Sequence, residues 1–267
     1  MFAEGFPRNS KGWIDFGTDK SDWALRKKIF PPEVGKHPAK ANLFMIQAWI
    51  SYVTKPGDLI LDPFSGTGSI MIAALQDRRV MCIDCSPGYV ELLNRSAENI
   101  IAVKPDVDIM VLEGDCQKLL PLPVDHICFS PPYAAIMKKA ASSEKDITAD
   151  LYGVDIEEFQ RYSAGTGNVG MLPEFFYYQS MEVVFKLCYQ SLQFGGTMTF
   201  ITKDHMENRR RFRLTKRLIN SCLRLGFIQQ DAFKHDCSEK GSPYTRIYRS
   251  QGLETVDDED IVIMGRE

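Results

Sequence analysis

Leu59-Ile60-Leu61-Asp62-Pro63-Phe64-Ser65-Gly66-Thr67-Gly68-Ser69 opens on an apolar triplet and closes on a glycine-rich turn. The triplet follows a turn signal, Lys55-Pro56-Gly57-Asp58, which predicts a short buried strand. Gly66 and Gly68 then bracket a tight connection into a helix beginning at Ile70. Glycine takes positive φ without penalty and lets backbone approach a ligand closely. The pattern predicts a loop for a nucleotide-like cofactor built from Asp62, Phe64, Ser65, Gly66, Thr67 and Gly68. A Gly-x-Gly-x-x-Gly dinucleotide fingerprint is excluded, because Met71 stands at the third glycine's place.

Strands and helices alternate on both sides of this loop. A helix is expected from about Ala41 to Tyr52, after an irregular segment 1–36. Val80 to Ile83 reads as a second strand ending at Asp84, and Tyr89 to Ile101 as a helix. Ile109 to Leu112 is a third strand, followed by Asp115 and Cys116. His126 to Phe129 is a fourth, delivering Ser130 at its end. Residues 134–175 break the pattern and read as an inserted region on the substrate side. A helix from Glu174 to Leu192 is expected to stop at Gly195-Gly196, before a strand from Thr197 to Ile201. Leu214 to Leu225 is a helix stopped by Gly226, and Phe227–Phe233 and Asp260–Met264 are the last strands. The expectation is a single α/β domain over 1–267 with a seven-stranded layered sheet.

Composition narrows the function classes. Apolar residues make up 44% and charged residues 25%, the balance of a soluble globular chain rather than a disordered one. The start, Met-Phe-Ala-Glu-Gly-Phe-Pro-Arg, lacks the basic-then-apolar pattern of a signal peptide, and no apolar run reaches membrane-span length. Cytoplasm is the expected location. The seven cysteines are odd in number and lie mostly in apolar runs, which suits buried thiols. Cys82-x-x-Cys85 lacks a second pair to complete a zinc site, so no metal is expected. The net charge of −3 does not advertise a nucleic-acid binder, yet Arg209, Arg210, Arg211, Arg213, Lys216 and Arg217 form a local basic strip. That strip reads equally as a phosphate-holding surface or as a solvated helix start.

Asp84 lies 18 residues after Gly66, at the tip of the second strand. A carboxylate there can accept both hydroxyls of a ribose. Asp115, after the third strand, can accept from an adenine amino group, and Cys116 beside it is a further cofactor-binding candidate. With Asp62, three acids at three successive strand ends line one crevice, where open α/β sheets bind ligands.

Ser130-Pro131-Pro132-Tyr133 has its own chemical logic. An exocyclic amine on a base is a poor nucleophile, because its lone pair is delocalised into the ring. Acceptors aimed at both amine hydrogens return electron density to nitrogen. The Ser130 hydroxyl and the Pro131 carbonyl are candidate acceptors, held by a backbone that two prolines stiffen. Tyr133 offers a ring face to an unstacked base.

These segments together resemble the DNA amino-methyltransferases that modify cytosine N4 or adenine N6. Asp62 to Ser69 is similar to that family's cofactor motif, and Ser130 to Tyr133 to its catalytic motif. His37-Pro38-Ala39-Lys40 resembles the segment that walls the methionine part of the cofactor, and the motif order is similar to the γ arrangement. Gly167-Asn168-Val169-Gly170, Gly195-Gly196, Thr202-Lys203-Asp204-His205 and Glu259 to Ile263 extend the likeness to phage-borne DNA methylases. The resemblance implies a Rossmann-like, three-layer methyltransferase fold whose last strand runs antiparallel. It implies S-adenosyl-L-methionine as cofactor and DNA as partner, with a restriction-modification setting and a homodimer both compatible.

It also implies target contacts from Asn168, Lys203, Arg209, Arg210 and Arg211. Serine at the head of the catalytic tetrapeptide leans toward site-specific methylation of cytosine N4. Adenine N6, an exocyclic amine of RNA guanosine, and a non-catalytic binding relic remain the alternatives. A binding relic has no need of intact cofactor and catalytic motifs.

Overall fold

The computed structural model describes residues 1–17, 24–36, 40–132, 168–207, 210–238 and 249–267. Among these, the strands are β1 (Leu59–Asp62), β2 (Arg79–Asp84), β3 (Ile109–Glu113), β4 (Val124–Phe129), β5 (Leu192–Thr202), β6 (His205–Glu207), β7 (Arg210–Phe212), β8 (Ile228–Asp236) and β9 (Asp258–Gly265). The helices are α1 (Ala24–Ile29), α2 (Pro32–Lys36), α3 (Leu43–Val53), α4 (Pro87–Val103), α5 (Cys116–Leu119), α6 (Glu174–Ser191) and α7 (Leu214–Arg224).

Seven strands form one sheet in the order β3-β2-β1-β4-β5-β9-β8. β1 to β5 pair in parallel, while β9 runs antiparallel to both β5 and β8. The antiparallel last strand, expected from the resemblance alone, is therefore present. β6 and β7 make a separate two-stranded hairpin.

Alternation along each strand divides the core between two faces. Ile60, Val80, Cys82, Cys128, Ile201 and Ile261 belong to one apolar cluster, which α3, α4 and the N-terminal segment complete. Leu61, Met81, Ile83, Ile127, Phe129, Phe200 and Val262 belong to the other, completed by α6 and α7. Helix, sheet and helix thus form three layers. A buried hydrogen bond from Trp49 Nε1 to Thr199 Oγ1, 2.8 Å, ties α3 to β5.

Three sequence expectations change. The helix after the glycine loop is a 3-10 helix, Ser69–Gln76, with Ser69 to Ala74 buried where it packs against α3 and α4. Gly195-Gly196 does not end a helix ahead of a strand: both glycines lie inside β5. Gly195 takes φ 80°, beside an irregular register opposite Val124 and His126. A Cβ on Gly196 would sit 2.6 Å from the Asp125 carbonyl, so glycine here permits close strand approach.

The segment 1–36, expected to be irregular, carries α1 and α2 and contributes Phe2, Ile14, Phe16, Ile29, Phe30 and Val34 to the core. Ile14 exchanges 2.8 Å backbone bonds with Lys234 and Asp236, covering the edge strand β8. Phe2 stacks on Phe233 at 4.2 Å. These apolar residues follow no period of 2 or 3.6, so periodicity could not reveal their burial. All seven cysteines are free and six are buried, as the thiol reading expected.

Candidate active site at the carboxyl edge of the sheet

The strand order sets the site. Asp115 follows β3, Asp84 ends β2, Asp62 ends β1 and Ser130 follows β4. These four strands are neighbours and parallel, so the four residues lie in a row along one sheet edge. At the usual spacing of neighbouring strands the row spans roughly 14 Å.

The glycine loop is held from below. Ser65 N–H donates to Ile83 O at 3.0 Å, and Gly68 N–H to Ser65 O at 2.8 Å. The Ser65 hydroxyl donates to Asp62 O at 2.8 Å. Gly66 and Gly68 take φ 48° and 76°, the left-handed conformations glycine was expected to supply. A Cβ on Gly66 would meet only the Phe64 carbonyl, at 3.9 Å, so that backbone stays approachable. Gly68 differs: a Cβ there would lie 2.7 Å from Leu93 Cδ2, so this glycine lets the 3-10 helix approach α4.

Asp84 accepts from Gly66 N–H at 2.8 Å and from Ser86 N–H at 2.9 Å. A carboxylate has about four acceptor sites, which leaves capacity for two ribose hydroxyls. Burial raises its pKa, and backbone N–H groups of Ser86, Gly66 and Cys85 pull it back down. Asp62 is buried and accepts from Phe64 N–H at 2.9 Å. Burial is the largest influence on its carboxyl, pushing the pKa up to about 8. Asp115 caps α5, with Oδ1 accepting from Gln117 N–H at 3.0 Å. Cys116, next along, is buried in the core beneath.

The donor set suits a cofactor that is cationic at one end and carries a nucleoside at the other. Acceptors line the row, two glycines expose backbone, and the buried Ser69 hydroxyl has no partner among the described residues. Asp62, Asp84 and Asp115 would hold such a group. Lys40 bonds to Gly35 O at 3.1 Å. His37, Pro38 and Ala39, the rest of that expected wall, lie outside the described residues.

Ser130 is exposed at the end of β4, Pro131 is buried and Pro132 half-buried. Phe64 of the loop and Phe129, immediately before Ser130, bring their rings to 5.6 Å. The cofactor loop and the catalytic corner therefore rest on one another. Tyr133 lies outside the described residues.

The expected target contacts separate. Lys203 leaves β5 three residues beyond the Phe129–Phe200 pair, on the same edge as Ser130. Asn168 caps a short 3-10 turn, Val169–Met171, by accepting from Gly170 N–H at 3.0 Å. Arg210 is exposed on β7, and Arg209 lies outside the described residues.

Arg211 is paired within the fold. Its guanidinium donates to Asp204 at 2.7 Å and to Asp258 at 2.9 Å, and Lys234 also bonds Asp258. Through those carboxylates Arg211 ties the β6–β7 hairpin to the sheet. Sequence reading also passed over Phe175 and Phe176, which are 66% and 53% exposed on the first turn of α6. The available signal was their position off the buried stripe of Tyr177, Met181, Val184, Phe185 and Cys188.

Residues 11–95 match the DNA methylase family N6_N4_Mtase. Type II methyltransferase M.BglI of Bacillus subtilis is 37% identical over a stretch covering 29% of this chain and 24% of that protein. Type II methyltransferase M.Cfr9I of Citrobacter freundii is 34% identical over 32% of this chain and 28% of its own length. The chain thus matches about a quarter of the length of these curated relatives.

Among solved structures, precorrin-6y C5,15-methyltransferase of Geobacter metallireducens GS-15 aligns over 94% of this chain and 97% of its own, with TM-score 0.51 and 11% identity. TrmN of Thermus thermophilus aligns over 85% of this chain and 49% of its own, with TM-score 0.50 and 16% identity. The chain shares the fold of these two solved structures, one of them a methyltransferase. Through residues 11–95 the sequence is similar to the DNA amino-methyltransferases.

Proposed function

We propose that the chain methylates the exocyclic N4 amine of cytosine at specific sites in DNA. The observation that carries this reading is that Ser130-Pro131 directly follow β4, the strand beside β1 and its glycine loop. The bound cofactor supplies an electrophilic methyl on a sulfonium. The Ser130 hydroxyl and the Pro131 carbonyl accept from the two amine hydrogens, concentrating the lone pair on nitrogen. Those acceptors would hold the nitrogen in line with the methyl the cofactor would supply, and the proton the amine sheds after transfer would pass to solvent. The protein contributes positioning and a fixed set of dipoles. A base in a duplex must leave the stack to reach this corner.

Serine at position 130, rather than the aspartate or asparagine common in adenine enzymes, supports cytosine over adenine. No helix among the described residues is long and apolar enough to cross a membrane, which suits a DNA-directed enzyme of the cytoplasm. The test is incubation with labelled S-adenosylmethionine and unmethylated genomic DNA, then nucleoside digestion and mass spectrometry. N4-methylcytosine is the expected product. N6-methyladenine would move the target base and keep the site. Cofactor binding without any methylated deoxynucleoside would turn the reading to RNA.

A further inference from the structure

Phe175 and Phe176 hold two large rings in solvent on the first turn of α6, edge to face at 5.5 Å. Their neighbours Tyr177 and Met181 face the core, so burial of α6 does not require them. α6 lies between β4 and β5 in the chain, and those strands are parallel neighbours. The helix must therefore begin at the carboxyl edge of the sheet, the edge that carries Ser130.

The first turn of α7 begins at the same edge, after β5 and its hairpin. Arg217 joins the two helix starts, donating to Glu174 at 3.2 Å while its guanidinium lies 3.3 Å over the Tyr178 ring. Around this junction Arg210, Arg213 and Lys216 are exposed. The chain as a whole carries −3, so this is a local concentration of positive charge. Exposed aromatic rings framed by cations fit a nucleic acid, which offers stacked π-faces between phosphates.

We propose that the Phe175–Phe176 pair is a wedge that enters the base stack of duplex DNA, with Arg210, Arg213 and Lys216 holding the flanking phosphates. Resting on the DNA-methylation reading, it identifies what fills the space that the target base leaves. Apolar side chains inserted between base steps offset the unstacking of the extruded base. A base already free of a duplex needs no wedge.

The experiment compares methylation of unmethylated genomic DNA as a duplex with methylation of the same DNA heat-denatured to single strands. The proteins are wild type, Phe175→Ala/Phe176→Ala, and Phe175→Leu/Phe176→Leu. The alanine variant is expected to lose about tenfold or more activity on duplex relative to its loss on single strands. The leucine variant, apolar but without flat rings, is expected to fall between. Equal losses on both forms, or no loss on either, overturn the wedge while leaving the methylation reading intact. A wild type that methylates neither form overturns both. Sedimentation of the same proteins covers the competing occupant: a wild-type dimer that the alanine variant converts to monomer makes this face a contact between copies and overturns the wedge.

Discussion

The Asp84 carboxylate, at the tip of β2, accepts a 2.8 Å hydrogen bond from the Gly66 N–H in the loop after β1. One acidic side chain thus shapes the glycine loop from beneath and keeps acceptor capacity beyond the two bonds it makes there. Removing it loosens the loop and removes the acceptor together.

We expect Asp84→Ala to weaken S-adenosylmethionine binding by about 10- to 100-fold, the loss of a charge-assisted hydrogen bond worth about 1.5–3 kcal/mol. Turnover at saturating cofactor should fall much less. Calorimetric titration with S-adenosylmethionine checks this, and an unchanged affinity would remove Asp84 from the cofactor site.

Gly66 and Gly68 should respond differently to alanine. Both take left-handed φ, so each substitution strains the backbone by about 1–2 kcal/mol. At Gly68 the added methyl also meets Leu93 Cδ2 at 2.7 Å and Met71 Sδ at 3.2 Å, inside buried packing. Overpacking of this kind adds about 1–3 kcal/mol. Gly68→Ala should therefore lower the melting temperature more than Gly66→Ala. Equal shifts in thermal denaturation would show that Leu93 yields without strain.

Arg211 and Arg210 are adjacent in sequence and should behave as opposites. Asp258 is buried, and burial works to raise its pKa, but Arg211 and Lys234 hold it below the ordinary carboxylate value. Arg211→Ala removes one of those partners, a change that in buried pairs destabilises by about 3–5 kcal/mol. A carboxylate with a lowered folded pKa contributes stability above its unfolded pKa and loses it as pH falls through the folded one. The Arg211→Ala deficit should accordingly shrink below about pH 4. Arg210→Ala should leave stability within about 0.5 kcal/mol and weaken duplex binding, lowering the slope of affinity against salt by about 1. Weakened DNA binding with unchanged stability in Arg211→Ala would reverse this assignment.

Asp62 should make stability depend on pH in the other direction. Its carboxyl rises to about 8 in the folded protein, so the folded state binds the proton more tightly than the unfolded chain. That contribution is complete below the unfolded pKa of about 4 and is lost as pH rises through about 8. Asp62→Asn keeps an acceptor for the Phe64 N–H and carries no charge. The melting temperature of the asparagine variant, measured without cofactor, should gain on wild type between about pH 5 and pH 9. A gap that stays constant over that range would sink the argument.

The sequence by itself determined the elements whose signals are local. Leu59 to Ser69 carries its strand, turn and helix start in one run, and the strands ending at Asp84 and Phe129 are marked by apolar runs that stop at polar residues. The positions of Asp62, Asp84 and Asp115 along the sheet edge were legible because each stands at or just after such a strand. Tertiary structure decided what depends on distant partners. The burial of Phe2, Ile14 and Phe16 follows from a sheet edge more than 200 residues away, at Phe233 to Asp236. No periodic pattern encodes that edge. Arg211 reads like its basic neighbours until Asp204 and Asp258 fold against it. The stripe of Tyr177 and Met181 was legible from helical period, but how far Phe175 and Phe176 stand out in solvent was set by packing. Local propensity fixes what a segment becomes, but which face of it meets solvent is settled only when the layers close.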